Sequence, residues 1–160
     1  QNRFEISDTT MNVRTAGIQG TFRNSFLKNC LIIVQDGVGV RFQLASETNN
    51  FLDHCTIDAK IGAIVDQGVP TIENNIFVSQ QNQGEVGIQY LTTGVPSFNY
   101  NNVYGFTAAY QGCTAGAAAK SIEPEFRGGN PFDYHIKSAS VLKNADSRSG
   151  EMGCYGKSYY

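Results

Sequence analysis

The sequence predicts an all-β chain coiled into a β-solenoid, on three observations. Four segments share one shape: SFLKNCLII (25–33), NFLDHCTID (50–58), PTIENNIFV (70–78) and SFNYNNVYG (97–105). A second motif, glycine with alternating apolar residues, recurs between them as GIQG (17–20), GVGVRFQ (37–43), GAIV (62–65) and GIQY (87–90). The 160 residues also hold 17 glycines and 14 asparagines, against 14 acidic and 12 basic side chains. That balance suits a turn-rich β protein.

Taken in chain order, FEISDTTMNV is a weaker first copy, with Thr9 and Met11 in the columns that later copies fill. Aligning the four clear copies places Cys30, Cys55, Asn75 and Asn102 in one column, at spacings of 25, 20 and 27. The glycines at 17, 39, 62 and 87 follow at spacings of 22, 23 and 25. A period this short is too small for a propeller blade, and leucine-rich repeats need a leucine framework that is missing here. A coil remains, with successive turns stacked as parallel strands ~4.8 Å apart. Leu27, Leu52 and Ile72 are expected to form one inward stack, and Ile32, Ile57, Phe77 and Tyr104 another.

The column raises the question of how Asn75 is satisfied, since a buried amide without a partner costs ~1–3 kcal/mol. A ladder in which Asn75 meets Asn102 on the next turn supplies the partner. Asn82, in the polar loop QQNQGE, is expected to stand outside that ladder. Residues 1–106 read as rungs, and residues 107–160 as a last rung with a C-terminal closing segment of the same domain. That segment leaves the repeat period, and a solenoid needs its strand edges covered.

A formal net charge of -2 offers no basic field for a phosphate backbone, so nucleic acid is not an expected partner. No apolar run approaches the ~18 residues of a membrane span. The chain has neither an initiator Met nor a signal-peptide pattern, so it reads as a processed or excised product, the C-terminal part of a longer coil. Low charge with many amides and glycines points to an extracellular or cell-surface setting.

On the rung pattern of GIQY followed by IENNIF, the chain resembles the right-handed parallel β-helix, or pectin-lyase-like, superfamily. The tail adds to the resemblance, with SFNYNNVYGF, SIEPEF, DYHIKSASVLKNAD and EMGCYG following in order. Members of that superfamily close with a similar series. Here Glu123 stands where Asp is usual, SASVLKNAD replaces a Gly-Ser-Pro run, and Cys154 takes the place of an Ala. The resemblance spans residues 4–156 and implies a right-handed parallel β-helix of about six rungs with an irregular C-terminal cap. It leaves function open, because this superfamily hosts lyases, hydrolases, epimerases, adhesins and inert scaffolds.

Within that fold, Cys30 and Cys55 share the ladder column on adjacent rungs, within reach of a disulfide. Cys113 and Cys154 are the second candidate pair, both in the tail. The alternative is that Cys30 and Cys55 are small buried thiols filling a ladder slot. Without a CxxC or a Cys/His cluster, no metal site is expected.

The resemblance implies that an enzyme of this kind would use clustered carboxylates, often with calcium, and an Arg or Lys base on an outer sheet face. The alternation after Gly39 turns Val40 and Phe42 inward and Arg41 and Gln43 outward, with Gln19, Ile64 and Gln89 on neighbouring rungs. Gln19, Arg41, Gln43 and Gln89 form a candidate ligand-binding face that carries a single charge. Asp53, Asp58, Asp66 and Glu73 fall in different columns, and the hydrolase and epimerase patterns are missing. His54 and His135 read as structural, and Glu123 and Glu125 as part of a turn around Pro124. No catalytic residue is expected.

The expected function is a non-catalytic secreted or surface scaffold, open to partnership with other subunits of an assembly. A glycan-binding module that takes polysaccharide on the amide-rich face is one alternative. A polysaccharide lyase acting on acidic polymer is the other, and only that reading calls for calcium.

Overall fold

The computed structural model describes residues 4–7, 9–43, 49–80 and 83–157; Asn82 lies outside them. The first turn comprises β1 (Phe4–Ser7), β2 (Thr10–Val13) and β3 (Ala16–Gly20). The second comprises β4 (Ser25–Lys28), β5 (Leu31–Val34) and β6 (Val38–Phe42). The third holds β7 (Phe51–Asp53), β8 (Thr56–Asp58) and β9 (Ile61–Val65), and the fourth β10 (Thr71–Glu73), β11 (Ile76–Val78) and β12 (Gly84–Tyr90). A fifth begins with a bridge from Thr71 to Ser97 and continues through β13 (Asn102–Tyr104) and β14 (Phe106–Gln111).

Equivalent strands of successive turns pair in parallel, so the coil has three faces. Sheet A is ordered β1-β4-β7-β10, sheet B β13-β11-β8-β5-β2 and sheet C β14-β12-β9-β6-β3. The chain is therefore a parallel β-solenoid of four complete turns and part of a fifth, fewer than the six expected. The shortfall lies after β14: residues 116–122 still run beside 99–103, but the chain then leaves the coil.

Inside the coil, side chains stack by register. Leu27, Leu52 and Ile72 lie on one another in sheet A, all fully buried. In sheet B the stack runs Met11, Ile32, Ile57, Phe77 and Val103. Val103 thus takes the place expected for Tyr104, which pairs with Val78 instead. The reason is a one-residue slip in the last copy. Ser97 bridges Thr71, which stands level with Phe51 and Phe26, so Ser97-Phe98 does not superpose on Ser25-Phe26. Phe98 continues the inward stack of sheet A and is 1% exposed.

The repeated glycines face the sheet B stack from sheet C, across the narrow interior. A Cβ on Gly39 would lie 2.2 Å from Ile57 Cγ2, one on Gly62 2.7 Å from Phe77 Cδ1, and one on Gly87 2.1 Å from Val103 Cγ1. The second motif of the sequence is thus a steric requirement, one bare backbone position opposite each large apolar side chain.

The remaining residues form β15 (Phe126–Gly128) and β16 (Asp133–Ile136), an antiparallel pair, and a short 3₁₀ helix, η1 (Val141–Asn144). They lie along the outer face of sheet B. There Leu31, Ile76 and Val78 point away from the coil interior into a second apolar cluster with Phe126, Tyr134, Ile136, Leu142, Met152 and Cys154. Strands β5 and β11 of sheet B are covered on both faces, which explains why LIIV and IFV read as continuous apolar runs.

Phe77 is fully enclosed between Ile57, Val103 and the Gly62 backbone. Phe77→Asp places a charge there without a partner, at more than ~4 kcal/mol, a large part of the ~5–15 kcal/mol that holds a domain folded. Circular dichroism of that variant is expected to show an unfolded chain; a parental melting curve would mean the stacking register is wrong.

Candidate functional site

Sheet C presents the outward rank anticipated from the alternation. Gln19, Arg41, Ile64, Gln89 and Gln111 lie side by side on successive strands. Arg41 is held at two points by Asp66, Nε to Oδ2 at 2.8 Å and Nη2 to Oδ1 at 3.1 Å, and this contact raises its pKa further. Gln89 donates to Gln111 at 2.6 Å. Gln43 lies beyond the end of β6, where its backbone N–H donates to Gly20 O. The face is a flat row of amides with one neutralised guanidinium, and Ile64 in its middle is only 6% exposed.

The four cysteines are free thiols, so neither expected disulfide is present. Cys30 and Cys55 do occupy the ladder column, and each thiol donates to carbonyls: Cys30 to Lys28 O at 3.2 Å, Cys55 to Asp53 O at 3.5 Å. They fill the slot as small buried groups, and burial pushes the Cys55 thiol well up. Cys113 packs against the inner core near Ile88 O, whereas Cys154 sits in the outer cluster beside Thr56. The two lie on different sides of the coil wall and cannot meet. Burial raises the Cys154 thiol to about 11.

The ladder itself runs through Asn101, not Asn102. From the second turn to the fifth, the passage from sheet A to sheet B is a two-residue turn whose first member is left-handed: Asn29, His54, Asn74 and Tyr100, with φ of 54°, 49°, 61° and 54°. The second members are Cys30, Cys55, Asn75 and Asn101. Asn75 Oδ1 accepts from Cys55 N at 2.8 Å, and its Nδ2 donates to Leu52 O at 2.8 Å and to Asn101 Oδ1 at 3.0 Å. Asn101 in turn donates to Ile72 O at 2.7 Å. Asn102 points the other way and closes a pair of bonds with Ile122, at 2.9 and 3.1 Å. The same slip in the last copy accounts for the shift.

Asn75→Leu leaves Cys55 N–H buried without its partner and takes a donor from Leu52 O and Glu73 O, at ~1–3 kcal/mol for the orphaned N–H. Urea unfolding is expected to show a loss of at least that size, while Gln19→Leu on the exposed rank changes stability by less than ~0.5 kcal/mol. Equal midpoints for the two variants would rule out the ladder as a structural element.

A second polar cluster was not foreseen. His54 is fully buried, with Nδ1 2.9 Å from Asp53 Oδ1 and Nε2 3.1 Å from Asp146 Oδ2. Asn74 also donates to Asp53 Oδ1, at 2.8 Å, and Ser147 N donates to Asn74 Oδ1. Asp146 Oδ1 accepts from the backbone N–H of Arg148 and Gly150. Both ring nitrogens face carboxylates, and only the imidazolium can donate from both. Burial opposes that charge, but the bonds to Asp53 and then Asp146 outweigh it, so the His54 pKa is raised. For Asp146 burial is likewise outweighed, by the N–H groups of Gly150 and Arg148 and then by His54, and its pKa is lowered. The cluster ties the third turn to the closing segment, 92 residues away. His135 is more exposed: it bonds Asp133 at 2.5 Å and stacks on Tyr155 with centroids 3.6 Å apart.

The linkage has a definite sign. A raised His54 pKa contributes stability that is fully present below the unfolded value of ~6.5 and is lost as pH rises through the folded value. A lowered Asp146 pKa contributes stability present above ~3.9 and lost as pH falls through the folded value. Unfolding free energy of the parent is expected to fall on the alkaline side, and His54→Gln to remove that slope at a cost of ~3–5 kcal/mol near pH 6. An NMR titration midpoint for His54 below 6.5 would overturn the assignment.

The last feature is a groove between the outer face of sheet B and the β15–β16 hairpin. Two adjoining cavities, of about 670 and 360 Å³, share Ser79, Gln80 and Phe132. Tyr134 on its wall donates to Asp58 Oδ2 at 2.5 Å, and Gln80 N donates to Asp58 Oδ1. Burial raises the Asp58 pKa against those two bonds. Phe132 is 44% exposed. None of the groove residues lies on the predicted face. Its one sequence signal is an aromatic pair, Phe132 and Tyr134, in a tail otherwise read as closing structure.

Among the described residues, no group of three or more His, Cys, Asp or Glu side chains is arranged to hold a metal ion. No helix among them is long and apolar enough to cross a membrane. Compared with protein-family models, curated proteins and solved structures, the chain matches none.

Proposed function

We propose that the chain is a non-catalytic β-solenoid of the pectin-lyase-like superfamily, a secreted or cell-surface scaffold that holds a partner rather than converting one. The observation that carries this reading is the engagement of the groups that chemistry would need. Arg41, the one charged member of the sheet C rank, is neutralised by Asp66. His54 has no exposed surface and both nitrogens bonded. Burial raises the thiols of Cys55, Cys113 and Cys154, which keeps them protonated and poorly nucleophilic.

Cleaving a uronic-acid polymer by proton abstraction develops negative charge that a metal or several cations must stabilise. Even modest enzymes supply ~8 kcal/mol or more. One guanidinium already paired to a carboxylate falls well short. A second reading, a glycan-binding module, is favoured by the groove beside Phe132 rather than by the amide rank.

Purified protein incubated with pectate or alginate, with calcium supplied, is expected to release no unsaturated ends. Calcium-dependent growth of ultraviolet absorbance that vanishes in Arg41→Ala would overturn the proposal and put the lyase reading first.

A further inference from the structure

We propose that the groove between sheet B and the β15–β16 hairpin binds a saccharide chain that carries no negative charge, with one sugar ring stacked on Phe132. This rests on the scaffold reading and names the partner that the scaffold would hold. Three observations support it.

The first is size and shape. The two adjoining cavities of about 670 and 360 Å³ share Phe132, so an aromatic ring stands where they meet. Both lie within the ~300–1,000 Å³ of ligand sites, a volume that admits more than one sugar unit.

The second is the ring itself. Phe132 meets Tyr134 at 4.8 Å and Phe126 at 6.1 Å between centroids, both edge-on, while 44% of it stays exposed. A ring fixed by two neighbours has little freedom left to lose on binding, and its face suits the apolar C–H side of a pyranose. Beside it, the exposed amides of Gln35 and Gln80 can each donate to and accept from hydroxyls.

The third is charge. Asp36 and Asp58 line the larger cavity and Glu123 and Glu125 the smaller, against a single ammonium, that of Lys60. Lys60 is itself paired, 3.6 Å from Asp36 and 3.1 Å from Glu85. Even with Asp36 paired to Lys60, the carboxylates leave an excess of negative charge that repels a polyuronate, so the groove selects against acidic polymers.

Calorimetric titration tests this with hexasaccharides of glucose, xylose, mannose and N-acetylglucosamine, and with hexagalacturonate. At least one neutral hexamer is expected to saturate the protein, and hexagalacturonate to give no heat. Phe132→Ala is expected to weaken binding at least tenfold. Should that variant fail to fold, Gln80→Ala, an exposed change, is expected to weaken it several-fold with an unaltered melting temperature. Arg41→Ala, on the other face, is expected to bind as the parent does. Binding of hexagalacturonate alone, binding lost in Arg41→Ala but kept in Phe132→Ala, or no binding by any hexamer would each overturn the inference. Those outcomes leave the non-catalytic reading standing. Shortening of a bound neutral hexamer on prolonged incubation would overturn that reading instead and leave the groove intact.

Discussion

Strands that stack at the ~4.8 Å spacing of a parallel sheet bring identical positions of successive turns into contact, and this repetition governs the interior. A narrow coil has room for one large side chain per turn at each level. Ile32, Ile57, Phe77 and Val103 take that room from sheet B, so sheet C must come forward as bare backbone at Gly17, Gly39, Gly62 and Gly87. The buried turn between sheets A and B faces the same limit in polar terms. Its inward backbone groups reach the turn above or below, and Asn75 and Asn101 supply the side chains that meet them.

Much of this was legible in the sequence because it is periodic. Leu27, Leu52 and Ile72 stack as read, and the glycine column explains itself once the stack is drawn. The last copy was misread because Ser97-Phe98 looks like Ser25-Phe26, although its strand enters the turn one residue sooner. That single slip moved the ladder partner to Asn101 and the stack member to Val103. The cysteine column was legible but left two chemistries open, since proximity along a column does not decide between a bond and two thiols that donate to carbonyls; the second is found.

What could not be read is what depends on the tail. Asp146 stands 92 residues from His54 and shares no motif with it, so nothing local marks the pair. The groove has the same origin, because one wall is periodic and the other is not. Phe132 acquires its meaning only when the hairpin is laid along sheet B. The closing segment, laid along sheet B, creates the second core, the buried charge cluster and the groove.

The closing segment laid along sheet B also limits how this architecture can grow. Solenoids lengthen readily by duplicating a repeat, since each turn touches only its neighbours. Here the closing segment spans several turns at once, bonding Asn29 on the second, His54 and Asp58 on the third and Asn74 on the fourth. An extra turn inserted between any of these would move one anchor by a full rung, ~4.8 Å, beyond the reach of a hydrogen bond. Copies added before β1 would disturb none of them. The flank acts as a ruler laid against the coil, fixing the number of turns from the second to the fourth.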